Sequence, residues 1–216
     1  MEILLVRHGE NLANLTKEFS HKKVDYDLTE KGVLQAMQTA HFLKSVKIDR
    51  IVSSPLKRAT QTAKFISESI EIEIEIDERF REINVGALED RKPTEESWRT
   101  YTTIVSDWYR GKLESRFPEG ESGNELRSRF RNAIVQLTEK EDERVLIVGH
   151  AGIFINGIIE LCRLTKPIEF YSDNFHNCSI STIKVDKSLD RIDFHIKSWG
   201  KVEHLNGKAA EFENWK

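Results

Sequence analysis

Unbroken apolar runs alternate along the chain with stretches of helical periodicity. Ile3-Leu4-Leu5-Val6 and Val145-Leu146-Ile147-Val148 are continuous in hydrophobicity, as strands buried on both faces of a parallel sheet are, and Ile51-Val52 is a shorter run of the same kind. Between the first two of these in chain order, Val33, Ala36, Met37, Ala40 and Leu43 fall on one helical face behind Thr29 as N-cap. Ser54-Pro55 reads as cap and first-turn proline of the next helix, which carries Leu56, Ala59, Ala63, Ile66 and Ile70. Residues 71–77 switch to period two, with Ile72, Ile74 and Ile76 opposed to glutamates, and predict a strand with one wet side near a sheet edge. Leu126, Phe130, Ala133, Ile134 and Leu137 predict another helix, 153–164 a last one, and 179–185 with 192–196 an antiparallel pair turning near Lys187-Ser188. The alternation predicts an α/β fold, a three-layer α/β/α sandwich around a mostly parallel central sheet. Residues 86–123 break the rhythm with Trp98, Tyr101, Trp108 and Tyr109 in a charged background, and predict a short, partly helical insertion lying over the body.

At 216 residues the chain is expected to form one domain, 1–216, with 86–123 as a cap-like insertion. Lys and Arg number 33 against 36 Asp and Glu, a net charge of −3 that excludes a globally basic nucleic-acid binder but leaves room for a local anion site. The two cysteines, Cys162 and Cys178, form no disulfide framework and suit a reduced, cytoplasmic setting. Met1–Val6 carries no basic leader, and no apolar run approaches ~18 residues, so no membrane span is expected. The strand edges admit a monomer or a homodimer.

Three strands are each followed at once by polar groups: Arg7-His8-Gly9, Ser53-Ser54 and Gly149-His150. The carboxyl ends of strands in an open α/β sheet line the ligand crevice. Arg58, one turn beyond Ser54, is within reach of the same edge. Singly, a histidine after a strand is an ordinary loop or cap residue and an arginine in a first helical turn is ordinary surface. Two histidines and two arginines around one crevice suit an anion, and phosphate above all, because the guanidinium fork donates two hydrogen bonds at once. His21, His41, His176, His195 and His204 have no metal-ligand spacing, and no metal or cofactor is expected. No G-x-G-x-x-G follows the first strand, which argues against a dinucleotide enzyme.

Leu5-Val6-Arg7-His8-Gly9-Glu10 resembles the RHG signature of the histidine phosphatase superfamily, the phosphoglycerate mutase-like proteins. Further blocks agree in the family's order: 27–32 is similar to its L-[ST]-x-x-G helix start, 53–63 to its S-x-L-x-R-A-x-x-T-A element, and Glu82 with Gly86 and Leu88 to E-x-x-x-G-x-L. Pro118–Ser122 resembles P-x-G-E-S, and Val148-Gly149-His150 the second-histidine strand. The resemblance implies that His8 accepts a phosphoryl group. It implies that Arg7, Arg58, His150 and Asn14 bind the phosphate, and that Glu82 is general acid and then base. The substrate would be a small phosphorylated metabolite. Glu10 and Glu89 are competing carboxylates on position alone.

The same residues serve phosphatases and mutases. Val85 stands where the mutases tend to carry tyrosine, Ala151–Ile155 is apolar where they tend to be polar and basic, and 86–121 is short. These departures favour phosphomonoester hydrolysis, with Arg91, Lys92 and Arg99 as candidate substitutes for the mutases' paired arginines. A mutase-type transferase and a non-catalytic phosphate-binding module are the alternatives. Trp98, Tyr101, Trp108, Tyr109 and Phe117 either roof the site for a bulky leaving group or pack the insertion onto the body.

Overall fold

A computed structural model describes residues 1–89, 91–164, 173, 175–189 and 191–212; position 90 of the predicted insertion and positions 165–172, 174, 190 and 213–216 of the predicted domain lie outside the described residues. The elements in chain order are β1 (Glu2–Arg7), α1 (Leu12–Thr16), α2 (Glu30–Leu43), β2 (Arg50–Ser53), α3 (Lys57–Ile70), β3 (Ile74–Ile76), α4 (Glu95–Tyr109), α5 (Gly123–Leu137), β4 (Arg144–Gly149), α6 (Ala151–Leu161), β5 (Ile180–Lys187) and β6 (Ile192–Lys201). The six strands make one sheet in the order β3-β2-β4-β1-β5-β6. β3, β2, β4 and β1 run parallel, and β5 alone is reversed between β1 and β6.

Alternate residues of a strand face opposite sides of a sheet, and the continuous apolar runs therefore feed two cores. Leu4, Val6, Leu146 and Val148 pack against Ala40 and Leu43 of α2 and Ala59, Ala63 and Ile66 of α3. Ile3, Leu5, Val145 and Ile147 pack on the other side against Phe130 and Ile134 of α5 and Ile153, Phe154 and Ile158 of α6. Helices on both faces of a mostly parallel sheet give the predicted three-layer α/β/α sandwich. Among the described residues no helix is long and apolar enough to cross a membrane.

Several local expectations are corrected. Thr29 does cap α2, its hydroxyl accepting from Gly32 N. The helix nevertheless turns a different face inward: Met37 is exposed and Val33 half-buried, while Gln35 and Thr39 are buried beside Ala36 and Ala40. These polar groups have partners from the C-terminal segment, since Gln35 Nε2 donates to Ala209 O (3.1 Å) and Thr39 Oγ1 lies 3.0 Å from His204 Nε2. α3 begins at Lys57 with Leu56 at the N-cap position, so Ser54 is not its cap. β3 is only three residues long, at the sheet edge, with Ile76 exposed. The aromatics of 86–123 divide: Trp108 and Phe117 are buried in a core with Ile104, Val105 and Leu126, whereas Trp98 and Tyr101 reach a cavity at the sheet's carboxyl edge.

Candidate active site

β2, β4 and β1 are neighbours, so their carboxyl ends deliver Ser53, Gly149 and Arg7 side by side. Main-chain bonds continue past the strands, from His8 N to Gly149 O (2.9 Å) and from Ser54 N to Val148 O (2.9 Å), and fix both residues against β4. Gly9 crosses Gly32 of α2 so closely that a Cβ on it would lie 2.5 Å from the Gly32 carbonyl oxygen. The close approach therefore serves the packing of the β1 loop on α2.

His8 is buried, with Nδ1 2.7 Å from Gly9 O. A carbonyl only accepts, so Nδ1 carries the ring proton and Nε2 presents a lone pair. Arg58 Nε donates to that nitrogen at 3.2 Å, and the rest of the Arg58 guanidinium is held by Ser20, Nη1 to Oγ (2.8 Å) and Nη2 to the carbonyl (2.9 Å). Arg7 Nη1 donates to Phe175 O (2.6 Å), while its buried Nε has no partner. His150 lies wholly buried behind His8, ring centroids 5.1 Å apart, with Nε2 2.7 Å from Ser54 Oγ and Nδ1 unpartnered. Leu56 N donates to the same Ser54 Oγ at 3.4 Å. The partnerless Nε–H of Arg7 is a buried donor suited to an anion. Burial lowers both guanidiniums to about 10, against the opposing pull of Glu82, and they remain cations at neutral pH.

Burial, reinforced by Arg58 and Arg7, pushes His8 well below the ordinary imidazole range, and burial with Arg58 does the same to His150. Burial also lowers His21, His176 and His204. The unfolded chain binds protons at these positions near pH 6.5 and the folded chain only at lower pH, so stability is complete above that value and declines as pH falls below it. The expected result is a Tm at pH 5 at least ~4 °C below that at pH 7.5 by scanning calorimetry. A Tm unchanged over that interval, which lies above the carboxylate range, would contradict buried neutral imidazoles.

Glu82 reaches the site from the segment after β3. Its Oε1 accepts from Ile83 N (2.9 Å) and Ile153 N (2.8 Å) and its Oε2 from Gly152 N (3.0 Å), which seats the carboxylate on the first amides of α6. A side chain at Gly152 would shift the carboxylate from this seat, since a Cβ there would lie 2.5 Å from Oε1. The main chain of Glu82 is clamped as well. Arg129 of α5 pairs both nitrogens of one fork with Glu121 (2.9 and 2.8 Å) and donates to the carbonyls of Arg79, Arg81 and Glu82 (2.6, 2.9 and 3.2 Å). His21 Nδ1 donates to the Glu82 carbonyl from the other side (2.8 Å).

The two competing carboxylates have other partners. Glu10 pairs with Lys31 (2.7 Å) and accepts from Thr29 Oγ1 (2.8 Å). Oε1 of Glu89 gathers four consecutive main-chain N–H groups, His21 to Val24, at 2.6–3.1 Å. Glu89 thus shapes the loop whose Ser20 orients Arg58. Ser20, Arg129 and the anchoring part played by Glu89 escaped the sequence reading because each acts on a distant backbone, which leaves no local motif. Glu121 alone had a signal, inside the 118–122 block.

Arg7, His8, Asn14, Arg58 and Glu82 line one cavity of about 130 Å³, with Phe19, Trp98 and Tyr101 on its wall. Asn14 Oδ1 accepts from Asn11 N (3.1 Å) and Asn177 Nδ2 (3.2 Å). Arg91, Lys92 and Arg99 are exposed and do not line the cavity.

The model of the histidine phosphatase superfamily (branch 1) matches residues 3–197. The chain belongs to that superfamily. A "Probable phosphoglycerate mutase GpmB" of Erwinia tasmaniensis is 32% identical over 222 residues, covering 98% of each chain. Among solved structures, Bacillus stearothermophilus YhfR superposes with a TM-score of 0.77 at 26% identity, over 94% of this chain and 98% of its own. The alpha-ribazole phosphatase of Shigella flexneri, at 24% identity and a TM-score of 0.72 over 99% and 100% of the two chains, shares the fold. This histidine phosphatase superfamily member is accordingly an enzyme of phosphatase or mutase type.

Proposed function

We propose that the protein is a phosphomonoesterase working through a phosphohistidine on His8. The observation that carries this is His8 itself, a ring kept neutral by burial and fixed in its Nδ1–H tautomer by the Gly9 carbonyl, with its unprotonated Nε2 beside two cationic guanidiniums. An arriving phosphoryl oxygen is a stronger acceptor for Arg58 than a neutral imidazole is, so the guanidinium passes to the substrate and the nucleophile's lone pair is released. Nε2 attacks phosphorus, the ester P–O bond breaks, and the leaving oxygen takes its electron pair and a proton from Glu82. Arg7 and Arg58 meet the charge spread over the equatorial oxygens, the main task in phosphoryl transfer, and Asn14 adds a polar contact. His150, buried and off the cavity lining, supports His8 from the neighbouring strand end. Water then attacks the phosphohistidine and gives its proton to the Glu82 carboxylate. The P–N bond breaks with its electrons returning to Nε2, and inorganic phosphate leaves.

The site draws on β1 through α6, with the wall supplied by Phe19 and the 86–123 segment, and residues 1–216 form one functional unit. Transfer back to a bound product, as in a mutase, is the second reading, favoured by the GpmB relative. It needs cations for the product's carboxylate, and among the described residues lining the cavity the cations are Arg7 and Arg58, both spent on phosphate. Incubation with 3-phosphoglycerate separates the two. Hydrolysis predicts phosphate release faster than formation of 2-phosphoglycerate, and the reverse order would establish a mutase.

A further inference from the structure

The cavity has two unlike halves. Arg7, His8 and Arg58 form the phosphate end, and three aromatic rings from two separate segments form the wall. Phe19 comes from the loop after α1, and Trp98 and Tyr101 stand one turn apart on α4. Each ring touches the other two: Phe19 and Trp98 have centroids 4.6 Å apart, Phe19 and Tyr101 5.4 Å, Trp98 and Tyr101 5.5 Å. The wall is braced from behind, because Tyr101 rests on Phe117 (5.6 Å), which meets the buried Trp108 edge-on at 90°. It is therefore a fixed surface that loses little freedom on meeting a ligand.

Electrostatics points the same way. Glu18 joins Glu82 on the cavity lining, and among the described lining residues there is no cation beyond the two at the phosphate end. Burial and the negative charge of Glu82 raise the Tyr101 phenol above its ordinary range, which keeps it neutral. A leaving group with a carboxylate would meet two acidic side chains and an aromatic surface with nothing to pair it. A flat uncharged ring would meet π faces suited to offset or edge-on contact.

We propose that the Phe19–Trp98–Tyr101 wall makes the protein selective for phosphomonoesters of uncharged aromatic alcohols over phosphorylated hydroxy acids. This rests on the phosphatase chemistry at His8.

The test compares 2-phenylethyl phosphate, glycerol 2-phosphate and 3-phosphoglycerate, all esters of aliphatic alcohols, so that differences do not arise from an aromatic leaving oxygen. The expected kcat/KM for 2-phenylethyl phosphate is roughly tenfold or more above the other two. Trp98→Ala should bring the ratio toward unity and Trp98→Phe should restore most of it. Equal turnover of 3-phosphoglycerate by the wild type, or a ratio unmoved in Trp98→Ala, overturns the proposal. Calorimetric Kd values for the same three compounds on His8→Ala supply a readout independent of turnover. A retained aromatic preference there, with no hydrolysis by the wild type, defeats the phosphatase reading alone. Equal affinities defeat the aromatic one.

Discussion

His8→Ala is expected to lower kcat by at least ~10³-fold, because it removes the atom that would carry the phosphoryl group and leaves only the binding cradle. Among the described residues, the neighbouring histidines do not substitute. His150 is wholly buried behind His8 with its Nε2 engaged by Ser54, and His21 spends its Nδ1 on the Glu82 carbonyl. Two measurements check this. Phosphate release from p-nitrophenyl phosphate gives the rate, and rapid quenching with labelled substrate gives the acid-labile, base-stable phosphoprotein that a phosphohistidine forms. Wild type should show both and the variant neither, whereas His41→Ala, at an exposed position on α2, should behave as wild type. A variant that hydrolyses at the wild-type rate would remove His8 from the chemistry altogether.

Glu82→Gln comes second in size, with an expected loss of ~10²–10⁴-fold in kcat on esters of aliphatic alcohols. The amide oxygen can still accept from Ile83 and Ile153, so two of the three bonds that seat the side chain survive. What disappears is the proton. p-Nitrophenolate is stable enough to leave without one, so phosphorylation of His8 by that substrate should be far less impaired than by an alkyl ester. Hydrolysis of the phosphohistidine still lacks its base. Stopped-flow should therefore record a burst approaching one equivalent of p-nitrophenol, followed by slow turnover with the phosphoenzyme accumulated. A loss of equal size for every leaving group, with no burst, would mean that Glu82 serves only to hold the loop.

How much of this was legible beforehand depended on whether a residue's partner was near in sequence. Arg7, His8 and His150 stood out because a polar residue directly after an unbroken apolar strand has few structural reasons to be there. Strand adjacency, which the sequence leaves open, then brought them together. Thr29 is legible as a cap because its partner is three residues away, and the role of Ser54 is not, because its principal partner, His150, is 96 residues away. The buried face of α2 differs from its apolar stripe for a related reason. Counting apolar positions has no way to register Gln35 and Thr39, which are buried because the C-terminal segment meets them with polar atoms. Trp98 and Trp108 look alike in sequence on one helix. The position of Phe19 and Phe117 around them makes one a wall and the other core.

The seat of Glu82 has a wider consequence. The residue that would donate the proton and the histidine beside the nucleophile are both located by a single stretch of backbone, Gly149 to Ile153, where β4 passes into α6. The amides of that stretch seat the Glu82 carboxylate while Arg129 and His21 clamp its main chain, so the reaction centre behaves as a fixed gauge. Trp98 and Tyr101 hang from α4, outside that gauge. A change of clientele therefore requires altering only α4 and the loop that carries Phe19, and a lineage could explore new esters without ever recalibrating the step that breaks them.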